Sequence, residues 1–170
     1  MAAPGPMGFR YFGRVRESDT GRELFLVDHV VDVDWNLVRF RCRETDGTEV
    51  VATPTGDGVQ VWIGEPGGER TELVAGVSSV WSASPSSLLV VDRLLGTSKR
   101  TEVQAVRLEP PFEPRPVLVR VRSAGSPRVP TTSGTSEARE VEIAVNGRRT
   151  RALFRSDLPL QADGWFELLG

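Results

Sequence analysis

This chain of 170 residues holds one cysteine, one histidine and one tyrosine: Cys42, His29 and Tyr11. A single cysteine excludes an internal disulfide and fits a reducing compartment. Together with one histidine it leaves too few ligands for a structural zinc site, and no metal is expected. The phosphate-cradling P-loop is absent, as are a Gly-x-Gly-x-x-Gly turn after a strand, a Cys-x-x-Cys pair, a His-Glu-x-x-His helix and the Gly-x-Ser-x-Gly nucleophile elbow. No cofactor is therefore expected. No stretch approaches the roughly 18–20 apolar residues of a membrane span. The segment from Met1 to Arg10 lacks the apolar run of a secretory signal. These absences predict a soluble, cytoplasmic chain.

Lysine is nearly missing too. Lys99 stands beside 20 arginines, a bias that, with abundant Ala, Gly, Val and Pro, reads as the codon drift of a GC-rich bacterial genome. The net charge of −2 gives no general attraction to phosphate backbones, so no nucleic-acid partner is expected.

What is present is a period of two, the mark of half-buried strands. In residues 23–35, Phe25, Val27, His29, Val31, Val33 and Trp35 share one face, and Leu24, Leu26, Asp28, Val30, Asp32 and Asp34 the other. A helix would scatter those aspartates, whereas a strand lines them up toward water. Val38, Phe40 and Cys42 then alternate with Leu37, Arg39, Arg41 and Arg43. If these two strands pair, cross-strand Arg–Asp contacts follow. Turn signals come at Asp46-Gly47, Gly56-Asp57-Gly58 and Pro66-Gly67-Gly68, bounding runs at 49–53, 59–63 and 72–81. Ser84 as cap, Pro85 as first helical residue and Gly96 as stop predict a short helix near 85–95. Its apolar stripe is Leu88, Val91, Leu94 and Leu95. Strands resume at 101–108, 117–122, 140–145 and 150–155, the last two flanking Asn146-Gly147, with a closing strand at 165–169. Residues 1–8 read as a flexible end, and 123–138, rich in Ser, Thr, Gly and Pro, as a flexible loop or lid.

The expectation is one mainly β domain over residues 1–170. It is a strongly curved antiparallel sheet, a half-barrel or closed barrel of about 9–11 strands, with one short helix.

His29 is the side chain with most chemistry. On an apolar strand face its imidazole is either a satisfied core group or, in a cavity, a ligand contact or general base. Tyr11 is the second candidate for moving a proton. Cys42 faces inward and reads as a small apolar residue. Asp28, Asp32 and Asp34 read as a solvated face rather than a cation site. Phe25, His29, Trp35, Phe40, Trp62 and Trp81 are the candidate walls of a ligand site, and Trp165 completes the four tryptophans.

Several stretches carry a family resemblance: the meander from Glu23 to Trp81, the helix opening Ser84-Pro85-Ser86-Ser87-Leu88, the extended region through Pro110-Pro111-Phe112, and the aromatic end Gly164-Trp165-Phe166. Their order resembles the glycolipid-binding family of bacterial proteins. That fold is similar to the periplasmic lipoprotein carriers, a half-open curved sheet with a helix over its concave side. The resemblance implies an apolar binding cavity and assigns no residue roles, and the lack of a secretory signal speaks against a periplasmic carrier.

Three functions follow as expectations. The first is binding of a hydrophobic small molecule or lipid inside the curved sheet. The second is a cofactor-independent cyclase or isomerase acting on an apolar biosynthetic intermediate, with His29 as its catalytic group. The third is a protein–protein interaction module without small-molecule chemistry, with Leu24, Leu26 and Leu37 in a contact face and a homodimer as one form.

Overall fold

A computed structural model describes residues 2–5, 8–17, 19–82, 84–96, 98–131, 134–155, 158–162 and 166–167. Seven strands pair in chain order: β1 (Ala2–Gly5), β2 (Gly8–Arg16), β3 (Glu23–Val31), β4 (Leu37–Glu44), β5 (Glu49–Pro54), β6 (Gly58–Glu65) and β7 (Gly68–Ala75). Every pair in this meander is antiparallel. Then come β8 (Ser79–Trp81), the helix α1 (Pro85–Leu95), β9 (Arg100–Arg107) and β10 (Arg115–Gly125). The hairpin of β11 (Arg128–Thr131) and β12 (Gly134–Glu137) precedes β13 (Arg139–Val145), β14 (Arg148–Arg155), β15 (Leu158–Ala162) and β16 (Phe166–Glu167). The second seven-stranded sheet has the order β16-β15-β14-β13-β10-β9-β8. The described residues are thus mainly β with one helix, as the sequence reading predicts.

The chain divides into two compact units. One holds Met1–Ser86 and Gln104–Val117, the other Ser87–Val103 and Leu118–Gly170. The core of the first unit rests on the inward residues of β3 to β6, among them Phe25, Val27, Phe40, Cys42, Val50, Val59, Val61 and Ile63. Val77, Val80, Val106, Leu108 and Phe112 pack into the same cluster. Each fully buried Val, Ile or Phe stabilises the fold by about 1.5–3 kcal/mol relative to exposure. In the second unit Leu88, Val91 and Leu95 of α1 are buried, as are Val119, Val121, Val141, Ile143 and Phe154 of its strands.

Local chemistry sets the turns. Asp46 Oδ1 accepts from Thr48 N at 2.8 Å, with Gly47 at φ 98°. Asn146 (φ 49°) and Gly147 (φ 81°) supply the two positive angles that the tight β13–β14 hairpin demands. Ser84 Oγ accepts from Ser86 N at 3.3 Å and caps α1, with Pro85 as its first residue.

The structure departs from the sequence reading at definite places. The single strand expected over 23–35 ends at Val31. Asp32 Oδ1 accepts from the backbone N–H groups of Asp34 and Asn36, at 2.9 Å each, and turns the chain. Val33 and Trp35 therefore leave the face that His29 occupies. Next, the β3–β4 ladder shifts by one residue between Val30 and Val31. That bulge reverses the alternation beyond it: Leu37 is buried and Val38 exposed, opposite to expectation. Leu37 thus drops out of any exposed contact face, while Leu24 and Leu26 are half-buried.

The run expected over 72–81 is interrupted at Gly76. Its second half, β8, pairs parallel with β9, with α1 as the crossover that a parallel pair needs. Sixteen strands among the described residues replace the smaller number expected. Ala2–Gly5 is paired with β2, and the stretch 123–138 contains the end of β10, β11 and β12. Trp165 and residues 168–169 lie outside the described residues.

Candidate functional site

His29 sits at the middle of β3, opposite Tyr11 on β2 and Phe40 on β4. The alternation that buries Phe25 and Val27 turns its ring inward too, to 2% exposure. Phe40 meets the imidazole edge-on, with ring centroids 5.4 Å apart at 83°. Nδ1 lies 3.1 Å from Ser86 Oγ. Ser86 Oγ in turn donates to Ser84 Oγ at 3.1 Å, and Ser84 is hydrogen-bonded to the Tyr11 hydroxyl. Four side chains, three of them buried and Tyr11 half-buried, thus form one polar chain along an apolar wall. The Tyr11 ring is held close over Gly13, where a Cβ would come within 2.7 Å of its hydroxyl.

The imidazole tautomer follows the direction of the Ser86 bond. Where the Ser86 hydrogen is given to Ser84, Nδ1–H donates to Ser86 and Nε2 carries the lone pair. Nε2 is buried and has no hydrogen-bond partner among the described residues. Burial pushes the imidazole pKa down to about 4, against a smaller opposing pull from Asp28. The ring is neutral near pH 7 and presents a desolvated acceptor. Burial also raises the Tyr11 phenol, more than Ser84 lowers it, so Tyr11 stays protonated.

Of the other candidate wall residues, Phe25 and Phe40 share the buried cluster around β3 and β4. Trp81 is buried on β8. Trp62 is half-buried, folds over Gly64 and donates from Nε1 to Glu69 Oε2 at 3.1 Å. Trp35 occupies the turn after β3 at φ 67° and stacks on Phe9 with centroids 4.5 Å apart. The structure brings Phe40 directly to His29 and places Trp35 and Trp62 elsewhere. Burial drives the Cys42 thiol up to about 12, with Glu44 adding to it, which leaves no thiolate for nucleophilic work.

Asp28 points away from His29 to the other face of β3. Arg10 Nε reaches its Oδ1 at 2.7 Å and Arg39 Nη2 its Oδ2 at 2.9 Å. Burial alone would raise its carboxyl, but the two guanidinium groups outweigh it and hold the pKa below the ordinary value. The Asp–Arg pairing read from the sequence is present, and the carboxylate is 7% exposed rather than solvated. Among the described residues no group of three or more His, Cys, Asp or Glu side chains is placed to hold a metal.

Ser84 was legible as a helix cap and Ser86 as a residue of the helix start, but neither as part of a chain ending at His29. Serines at a helix start satisfy backbone donors by default, and nothing in the spacing points 57 residues back to β3. Three surface clefts are described: about 320 Å³ and 160 Å³ in the first unit and about 530 Å³ in the second. None of the three is bordered by His29. No helix among the described residues is long and apolar enough to cross a membrane.

No protein-family model matches this chain, and no curated protein matches it. Among solved structures it is similar to the crystal structure of a β-barrel-like protein of the domain of unknown function DUF1849 from Brucella abortus. The TM-score is 0.56 at 15% identity, over 91% of this chain and 73% of the other. At that identity the likeness concerns the fold alone: β-barrel-like, in keeping with the curved antiparallel sheet expected from the sequence.

Proposed function

We propose that the protein binds a hydrophobic small molecule or lipid that carries a hydroxyl or N–H donor, against the inner face of the first meander. The observation that carries this reading is His29 Nε2, buried and without a partner among the described residues, on a strand face shared with Phe25 and Val27 and beside Phe40. A desolvated acceptor of this kind costs stability unless a donor meets it. It also discriminates well between ligands with and without that donor. The β-barrel-like fold supports the reading, because barrel interiors are common sites for apolar ligands. A lipid that combines an alkyl body with hydroxyl donors fits this chemistry, in keeping with the apolar cavity that the family resemblance implies.

A second reading rests on the chain Tyr11–Ser84–Ser86–His29. A neutral imidazole tied through two hydroxyls to a phenol can move a proton on a bound apolar substrate without a cofactor. In that case His29 is the base and Tyr11 the terminal donor.

Native mass spectrometry of freshly purified protein, followed by organic extraction, tests the first reading. The expected result is an added mass that extracts into solvent and is lost in His29→Phe. A bare mass, together with no uptake of a fluorescent long-chain alcohol by either protein, overturns it.

A further inference from the structure

We infer that the cleft of the second unit is a binding site for the phosphate group of a small molecule. The cleft encloses about 530 Å³, within the 300–1,000 Å³ typical of small-ligand sites. It is built on the outward faces of β10, β13 and β14, where strand register sets out two rows of side chains. In one row Arg122, Glu142 and Arg151 stand side by side across the three strands. In the next row the order is Arg120, Ala144, Arg149.

The difference between the rows makes the site. In the first, Glu142 fills the middle position and takes Arg122 at 3.0 and 2.8 Å. In the second, the middle residue is alanine, so Arg120 and Arg149 flank a floor with no carboxylate of its own. Arg149 reaches only the neighbouring row, at 3.6 Å from Glu142, a carboxylate that Arg122 already holds. Arg120 is held from the side by Glu102 at 3.0 Å. Arg100 adds a fourth guanidinium to the cleft, and Asn146 a side-chain amide at the hairpin end. Arg100 has no ion pair among the described residues.

Four arginines against two carboxylates, Glu142 in the lining and Glu102 on Arg120, leave a local excess of positive charge on a chain whose net charge is −2. Guanidinium forks match phosphate oxygens two at a time, and two forks facing across an alanine floor suit a group with several negative oxygens. The size of the cleft favours a small molecule over an extended polyanion. This site is independent of the His29 reading, since it lies in the other unit and uses none of the same residues.

Isothermal titration of the full chain with inorganic pyrophosphate at low salt tests the site. Binding to the unaltered protein is expected, weakened about tenfold or more in Arg149→Gln, where a charged hydrogen-bond donor is lost. It should be abolished in Ala144→Glu, which puts a carboxylate on the floor, and unchanged in Arg128→Gln, outside the cleft. Arg149 is exposed and Ala144 half-buried on its strand, and circular dichroism checks that each variant is folded. If Ala144→Glu fails to fold, Arg149→Gln decides. No binding by the unaltered protein overturns the site, and so does equal weakening by Arg128→Gln. Equal binding of malonate overturns the assignment to phosphate. Competition with ADP and with glucose 6-phosphate then tells a nucleotide source from a sugar phosphate.

Discussion

His29 and Ser86, 57 residues apart in sequence, meet at 3.1 Å between Nδ1 and Oγ, both buried. The contact joins the middle of a strand to the first turn of the only helix among the described residues. Removing it leaves an imidazole with both nitrogens unanswered. Ser86→Ala is therefore expected to destabilise the protein by about 1–3 kcal/mol, the penalty of an unsatisfied buried polar group. Urea unfolding of the two proteins measures this. A change below a few tenths of a kcal/mol would show that the bond contributes nothing.

Acid should act through the same histidine. Its pKa is about 4 in the folded protein against 6.5 in an unfolded chain. Between these values the unfolded state binds the proton and the folded state does not, so stability falls as pH drops from about 6.5 to about 4. The full effect is roughly 3 kcal/mol, present above the higher value and lost by the lower one. His29→Gln should flatten the dependence of the urea midpoint over that interval. An unchanged slope in the variant would assign it to other groups.

Asp28 occupies a separate window. Its pKa is held below the ordinary aspartate value, so its contribution is present above that value and fades as pH falls through the folded one. Asp28→Asn removes the charge shared by Arg10 and Arg39. Both arginines are about half exposed, which screens the pairs, and the expected loss is about 1–2 kcal/mol. A double-mutant cycle of Arg10→Ala and Arg39→Ala should be non-additive, because both act on one carboxylate. Strict additivity would separate them.

Gly58 opens β6 beside β7, and a Cβ there would sit 2.2 Å from the carbonyl oxygen of Val74. The obstacle is backbone and cannot turn aside. Gly58→Ala is expected to destabilise by about 1–3 kcal/mol, whereas Gly56→Ala, with nothing within 4 Å, should not. Thermal unfolding of the pair separates steric exclusion from a general loss of turn flexibility.

Much of this could be read in advance. Alternation of Phe25, Val27 and His29 is set by the strand period and needs no tertiary information. The Ser84-Pro85 start of the helix and the Asn146-Gly147 hairpin follow from local backbone chemistry. What could not be read is whatever depends on a partner distant in sequence. The bulge at Val30 and Val31 inverts Leu37 and Val38, yet it exists only once β3 and β4 have paired. Trp35 keeps the period of β3 on paper, but three donors at the Asp32 carboxylate and a ring stacked on Phe9 draw it into a turn. Ala144 is an ordinary strand alanine until register sets it between Arg120 and Arg149. The sequence by itself determined a β protein with a buried histidine and one capped helix, because side-chain period and capping act over a few residues. Only the tertiary structure decided which serine meets that histidine, which of its nitrogens lacks a partner among the described residues, and where arginines gather, because those depend on strand register and on contacts between residues far apart in the chain.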